Sequence, residues 1–348
     1  MGPKIAVVGT TTWGTTLAII EAREGKDVWL WARSPAEAEE LNRDRENRRL
    51  SPGFPFPSSL HVTSSLEEAF LLCRVAILAV PVETMRENLR RVAPFLSPPM
   101  AIACAAKGLE AATGLRMSQV MKEDLPRSLH PYLCVLSGPN LSGEIIRGLP
   151  TATVVAAEDE GVAVEAQKAL MTPYLRIYTN TDVVGVELGG ALKNIIALGA
   201  GMADGLGYGD NAKAAFITRG LAEITRLGVA AGANPLTFSG LAGLGDLVAT
   251  CSSPLSRNRR VGQEVARGRP LDEVLASLGH VAEGVLTARA ALRLASQRGV
   301  EMPITQQIYR VLFEGLDPRQ AVAELMGRPA KAEAEPVPTS ILGGGDRQ

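Results

Sequence analysis

The strongest chemical signal in the sequence is a lysine set in an apolar run. Lys193 stands within Ala191-Leu192-Lys193-Asn194-Ile195-Ile196-Ala197-Leu198, where desolvation of the ammonium lowers its pKa toward the working range. Such a lysine can carry a proton to or from a reacting group, and a second cation such as Lys107 would lower its pKa further. The alternative is a helix lysine whose stem is buried and whose ammonium reaches solvent. The three histidines, His61, His130 and His280, share no spacing suited to zinc, so a catalytic proton moves through another residue type. A second cluster, Ser253-Pro254-Leu255-Ser256-Arg257-Asn258-Arg259-Arg260, concentrates donors. Arg257 offers a bidentate fork, and Ser256, Asn258 and nearby backbone N–H groups offer neutral donors, a set suited to a phosphate. A solvated basic loop is the competing account, better suited to Arg259 and Arg260.

A third signal is Gly9-Thr10-Thr11-Thr12-Trp13-Gly14, between an apolar run and a helical pattern. It approximates the G-x-G-x-x-G turn that lets a pyrophosphate rest on a helix N-terminus. Gly9 and Gly14 keep their places, but Thr11 stands where the second glycine lets backbone approach the phosphates. Its branched side chain is expected to crowd the pyrophosphate, with its hydroxyl able to compensate in part by donating to a phosphate oxygen. A strand-turn-helix with no ligand fits the same residues. Arg33, at the end of the next apolar run, would pair with a 2′-phosphate or stack on adenine where a carboxylate would repel NADP, unless it is a surface arginine.

These residues need a frame. Lys4 to Gly9, Asp27 to Ala32, Val75 to Val80, Ala101 to Ala105 and Leu133 to Leu136 read as buried strands. Helical stretches lie between them, including Thr15 to Glu24 and Pro35 to about Arg48. Thr151 to Ala156 and Leu175 to Tyr178 add strands. The solution is an α/β Rossmann-like, doubly wound parallel sheet over residues 1–183. From 184 to 326 long Ala- and Leu-rich segments at helical spacing read as an all-α domain. Residues 327–348 hold too few large apolar groups to pack and read as a disordered tail.

Several separated segments resemble one family, the NAD(P)H-dependent glycerol-3-phosphate dehydrogenases. Gly190-Ala191-Leu192-Lys193-Asn194-Ile195-Ile196-Ala197 with Gly199, Gly201 and Leu206-Gly207-Tyr208-Gly209-Asp210-Asn211 resembles its signature. Ala106-Lys107-Gly108-Leu109-Glu110, Ser137-Gly138-Pro139, Leu244-Gly245-Asp246-Leu247, Ser256-Arg257-Asn258 and Val281-Ala282-Glu283-Gly284 follow in the family's order, so the resemblance spans roughly residues 4–325. It implies hydride transfer between NADP or NAD and the dihydroxyacetone phosphate/glycerol 3-phosphate pair, supplying glycerophospholipid synthesis, with Lys193 as proton donor and acceptor. It implies substrate contacts from Lys107, Gly138, Asn140, Lys193, Asp246, Ser256, Arg257 and Asn258. Cofactor contacts would come from Gly9, Thr12, Trp13, Gly14, Arg33, Lys107, Ser142, Arg257, Val281 and Glu283. On chemistry alone, Asp246 could orient the lysine, accept from a substrate hydroxyl or cap a helix, and Glu283 could likewise be a cap. The sequence departs from the family pattern at Thr10-Thr11-Thr12, at Asn140 where Ser or Thr is usual, and at Gly143 where many relatives carry a basic residue.

Composition narrows the remaining classes. A net charge of -1 with 21% charged residues excludes a general nucleic-acid or membrane-surface binder, though not a local pocket for one anion. No signal peptide, no run of about 18 uncharged apolar residues and no complete myristoylation motif is read, so a cytoplasmic protein without a membrane span is expected. Cys73, Cys104, Cys134 and Cys251 lie far apart and read as buried reduced thiols, with no metal site. A homodimer is compatible with the helical half. Two other readings stay open: a non-catalytic nucleotide or sugar-phosphate sensor, favoured by Thr11, and a dehydrogenase of a 3-hydroxy acid or ketopantoate-like substrate, which would need a carboxylate grip instead of Ser256-Arg257-Asn258.

Overall fold

The computed structural model describes residues 3–278, 282–330 and 332–333. Eight strands form one sheet: β1 (Lys4–Val8), β2 (Val28–Trp31), β3 (Leu60–Thr63), β4 (Cys73–Leu78), β5 (Ala101–Cys104), β6 (Leu133–Ser137), β7 (Thr151–Ala157) and β8 (Leu175–Asn180). Their order is β3-β2-β1-β4-β5-β6-β7-β8. The first six run parallel, with Ile5 opposite Val28 on one side of β1 and Val75 on the other. The strands are apolar on both faces because helices cover both. One core packs Ile5, Val7, Leu30 and Ile77 under Leu17 and Ile19, and the other packs Val8, Leu78 and Ile102 under Met85, Leu89 and Met121.

The expectation of a wholly parallel sheet needs correction at its far edge. β7 pairs antiparallel with β6, Val135 opposite Ala156, and β8 continues parallel to β7. The connection from β6 to β7 contains only the short helix Ser142–Ile145, so the chain turns back instead of crossing over. The sequence reading also lacks β3, a four-residue strand in which His61 is exposed.

The rest of the described chain is helical. The helix Val183–Gly205 is buried along most of its length, without a break from Leu188 through Ala203. By length and composition it could cross a membrane, but Glu187, Lys193 and Asp204 leave it no uncharged run of 18 residues, and 89% of its most apolar window lies inside the fold. The helices Asp210–Ala230, Asp246–Ser252, Arg257–Ala266, Glu283–Arg298 and Pro303–Phe313 pack around it. Glycine makes the closest of these contacts possible. A Cβ on Gly201 would lie 1.9 Å from Arg259 O, and one on Gly262 1.8 Å from Leu198 O, so the helices of Lys193 and Arg257 meet backbone to backbone. Arg259 Nε then donates to Asp204 Oδ2 at 2.6 Å across the same crossing.

Candidate active site

The order β2-β1-β4 reverses direction at β1/β4, the switch point where an open α/β sheet leaves a crevice beyond its strand ends. A cavity of about 530 Å³ opens there, lined by Thr11, Thr12, Trp13, Ala79, Val80 and Ala105 among others. It runs into a second cavity of about 400 Å³ lined by Lys107, Asn140, Ser142, Lys193, Thr250 and Ser256-Arg257-Asn258. The two share Thr12, Trp13, Leu50, Ala105, Arg257 and Glu283, so they form one cleft between the sheet and the helices.

At the sheet end, Gly9 takes φ +109°, and a Cβ there would meet Ala79 O at 2.9 Å. A Cβ on Gly14 would lie 2.1 Å from Gly9 O, so the first helix starts directly against the strand. That helix spans Thr12–Arg23, three residues earlier than the sequence periodicity suggests, because Thr11 caps it. Thr11 Oγ1 accepts from Gly14 N at 3.0 Å and donates to Ala79 O at 2.7 Å. The hydroxyl proton is therefore committed to protein and is not available to a phosphate. Thr10 Oγ1 donates to Glu37 at 2.5 Å, and Asn47 Nδ2 donates to Thr10 O at 3.1 Å, so the turn is held from outside as well.

The other end holds a chain of charges. Lys107 Nζ donates to Gly138 O at 2.6 Å and to Asp246 Oδ2 at 2.7 Å. Lys193 Nζ donates to Asp246 Oδ1 at 2.5 Å and to Thr250 Oγ1 at 2.6 Å. Asp246, only 1% exposed, thus bridges two ammonium groups. It begins its helix after one π-helical turn, Leu241–Gly245. Burial lowers the Lys193 pKa from 10.5 to about 8; Asp246 opposes this, and Lys107 reinforces it. An ammonium has three donors, so with two occupied Lys193 keeps one for an oxygen in the cleft. Glu283, half-buried in the first turn of Glu283–Arg298, has its pKa raised by burial against the pull of Arg257, Lys107 and Lys193.

Around this core, Ser256 caps its helix by accepting from Arg259 N at 3.2 Å. Asn258 Nδ2 donates to Asn194 Oδ1, and its Oδ1 accepts from Gly284 N, both at 3.0 Å, so Asn258 ties three helices together at the cleft wall. Arg257 is exposed at the junction of the two cavities and has no ion pair among the described residues. Trp13 Nε1 and both amide atoms of Asn140 are buried without a protein partner, as expected of groups that a ligand satisfies.

The cleft therefore gathers Thr12, Trp13, Lys107, Asn140, Ser142, Lys193, Ser256, Arg257, Asn258 and Glu283 on its walls. Gly9, Gly14, Gly138 and Asp246 lie behind it, shaping the turn or orienting the lysines. Arg33 is exposed just after β2 and is not on either wall, and Val281 lies outside the described residues. Sequence reasoning missed Thr250, four residues after Asp246 on one helix face; that i,i+4 spacing was the available signal. It also missed Arg49 and Leu50, which reach the sheet-side wall from a turn, and Glu83, which reaches it from the short 3-10 helix Val82–Thr84.

Residues 4–163 match the family described as NAD-dependent glycerol-3-phosphate dehydrogenase N-terminus, and residues 182–323 match the corresponding C-terminus. The glycerol-3-phosphate dehydrogenase (NAD(P)+) of Dehalococcoides mccartyi is 51% identical over 331 residues, covering 95% of this chain and 92% of that protein. The enzyme of the same name from Geobacter metallireducens is 51% identical over 333 residues, covering 96% and 99%. The crystal structure of glycerol-3-phosphate dehydrogenase from Coxiella burnetii superposes with a TM-score of 0.88 at 37% identity, covering 94% of this chain and 99% of that one. This chain belongs to the NAD-dependent glycerol-3-phosphate dehydrogenase family.

Proposed function

We propose that this protein interconverts dihydroxyacetone phosphate and sn-glycerol 3-phosphate with NADP or NAD, the product serving glycerophospholipid synthesis. One observation carries the reading: the Lys107–Asp246–Lys193 chain ends in the same cleft as Ser256-Arg257-Asn258. The cofactor fits the sheet-side cavity, where Gly9 lets the turn close and the unpartnered Trp13 Nε1 awaits an acceptor. Backbone N–H groups at Thr12–Trp13 would hold its pyrophosphate, and Arg257 and Glu283 would face the nicotinamide half; when bound, it supplies or takes the hydride.

The protein's own part is proton transfer and orientation. Lys193 donates its remaining proton to the ketone oxygen in the reducing direction and removes it from the hydroxyl in the oxidising direction. Asp246 and Thr250 fix the ammonium, and Lys107, held by Asp246 and Gly138, adds positive potential where the oxygen gains charge. Arg257, Ser256 and Asn258 grip the phosphate, and Asn140 offers both an acceptor and a donor. Arg33, exposed just after β2 where an NAD-specific sheet carries a carboxylate, would favour acceptance of NADP. The same reading divides the chain at residue 183 into a cofactor half and a helical half. It places the protein in the cytoplasm, in keeping with four buried free thiols. A homodimer is proposed through the helical half, which leaves Leu236, Leu244 and Val248 exposed. The test is loss of NADH and NADPH absorbance on adding dihydroxyacetone phosphate. Lys193→Ala is expected to lower turnover by roughly 10²–10⁴ while cofactor still binds; near-normal turnover would end the assignment.

A further inference from the structure

The helical half holds another cavity, of about 530 Å³, that shares no wall residue with the cleft. It lies among the helices Val183–Gly205, Asp210–Ala230, Pro303–Phe313 and Pro318–Met326 and is walled by Phe216, Ile308, Val311, Val322, Leu325 and Met326. Met326 is 81% exposed there. An apolar concavity of this kind on a soluble fold marks a surface that something covers. Its lining also includes Arg219, Arg226 and Glu223, and Arg328, which pairs with Glu301 at 3.2 Å.

The chain itself points to the occupant. It leaves the last helix at Met326, and by Glu333 it is back at this lining, where Arg219 Nη1 donates to Glu333 O at 3.3 Å. Residues 334–342 then read Ala334-Glu335-Pro336-Val337-Pro338-Thr339-Ser340-Ile341-Leu342, followed by three glycines. Extended, such a stretch reaches about 30 Å, enough to cross the cavity from the Arg219 side. Val337, Ile341 and Leu342 match the apolar walls. Pro336 and Pro338 restrict the free chain, so less entropy is lost on docking.

We propose that residues 334–342 dock in this cavity as an intramolecular strap. Gly199, Met202 and Ala203, which line it, belong to the same helix as Lys193, so the strap braces the back of the catalytic helix. The proposal does not depend on which substrate the cleft takes.

The test compares the full chain with a chain ending at Glu333 and with a full chain carrying Ile341→Asp and Leu342→Asp. Fluorescence of 1-anilinonaphthalene-8-sulfonate is expected to rise several-fold in both variants, with Tm lowered by roughly 2–4 °C and sedimentation unchanged. A synthetic peptide of residues 334–348 should quench the added fluorescence of the shortened chain. Unchanged dye binding and Tm in both variants would overturn the proposal. So would a shortened chain that stays dye-silent until dilution dissociates a dimer, because a second copy would then be the cover.

Discussion

Replacing Asp246 with Asn tests the electrostatics of the site most directly. The carboxylate accepts from Lys193 at 2.5 Å and from Lys107 at 2.7 Å, and it opposes the burial that brings Lys193 to about 8. Asparagine keeps the shape and a hydrogen-bond acceptor but removes the charge. Two unit charges about 4 Å apart at an effective dielectric of about 20 interact by about 4 kcal/mol, or roughly 3 pH units. That is an upper bound, since an amide oxygen still accepts from the ammonium; a fall of about 2 units is a reasonable central value. Lys107, which lowers the Lys193 pKa, is left without its carboxylate and acts in the same direction. The alkaline limb of kcat/KM for ketone reduction, which reports the free enzyme, should therefore move from about 8 to about 6. At pH 7 the protonated fraction would fall from about nine-tenths to about one-tenth, and part of the lost rate should return on acidifying to about 6. The substrate phosphate titrates near 6 in both proteins, so the readout is the difference between the two profiles under stopped-flow conditions. A limb that stays near 8 in Asp246→Asn would show that Lys193 is not the titrating acid. A uniform loss without acid rescue would show that Asp246 acts by position alone.

The remaining predictions concern the phosphate grip, the cofactor turn and the buried charge. Arg257→Ala should weaken binding of dihydroxyacetone phosphate by about 1.5–3 kcal/mol, as for a charge-assisted contact, and leave the rate with unphosphorylated dihydroxyacetone nearly unchanged. Equal damage to both would make Arg257 structural. Thr11→Gly, which crowding alone would predict to tighten NAD(P)H binding, should instead lower Tm slightly and leave binding unchanged or weaker, because the hydroxyl caps Gly14 N and bonds Ala79 O. A lower dissociation constant by cofactor fluorescence would restore the crowding account. For Lys193, the folded pKa of about 8 lies below the unfolded 10.5, so between those values the unfolded chain binds more protons. Its contribution to stability should therefore rise with pH across that window and stay constant below it. Comparing denaturant midpoints of wild type and Lys193→Met at pH 7 and 9.5 isolates this contribution; an identical difference at both pH values would contradict the lowered pKa.

Most of the parallel part of the sheet was legible because its strands other than β3 are short apolar runs between turn signals, as in Ile5-Ala6-Val7-Val8 and Val75-Ala76-Ile77-Leu78. The direction of β7 was not. Thr151-Ala152-Thr153-Val154-Val155-Ala156 alternates in the same way read either way, and direction is set by the connection, whose short helix the pattern did not disclose. β3 escaped because Leu60-His61-Val62-Thr63 is too brief to show a period and carries an exposed histidine. Lys193 stood out because burial of a charge is visible against apolar neighbours. The links among its neighbours were less visible, since Asp246 and Thr250 meet it across 53 and 57 residues of sequence and Lys107 meets Asp246 across 139. Thr11 misled for a related reason. A side chain in a glycine position looks like an obstacle until the strand next door provides a carbonyl for its hydroxyl.

The site's charges explain why its parts lie where they do. Lys107, Lys193 and Arg257 contribute three positive charges, and Asp246 returns one negative charge; Glu283, its pKa raised by burial, is tempered by the same cations. With no anion bound, burial is the main cause that depresses the Lys193 pKa; Asp246 opposes it and Lys107 adds to it. A phosphate at Arg257 and Asn258 would offset the positive charge there and favour the ammonium. Phosphate binding and the supply of a proton are thus coupled without any moving part. The coupling requires the exposed Arg257 and the buried Lys193 to face one space. Gly201 and Gly262 create that space by letting their two helices meet with no side chain between them, and Asn258 holds it by bonding to both Asn194 and Gly284. A methyl group at Gly201 would push against Arg259 O, widen the crossing and admit water. The lysine would then titrate nearer its ordinary value, although every residue that touches substrate would still be present.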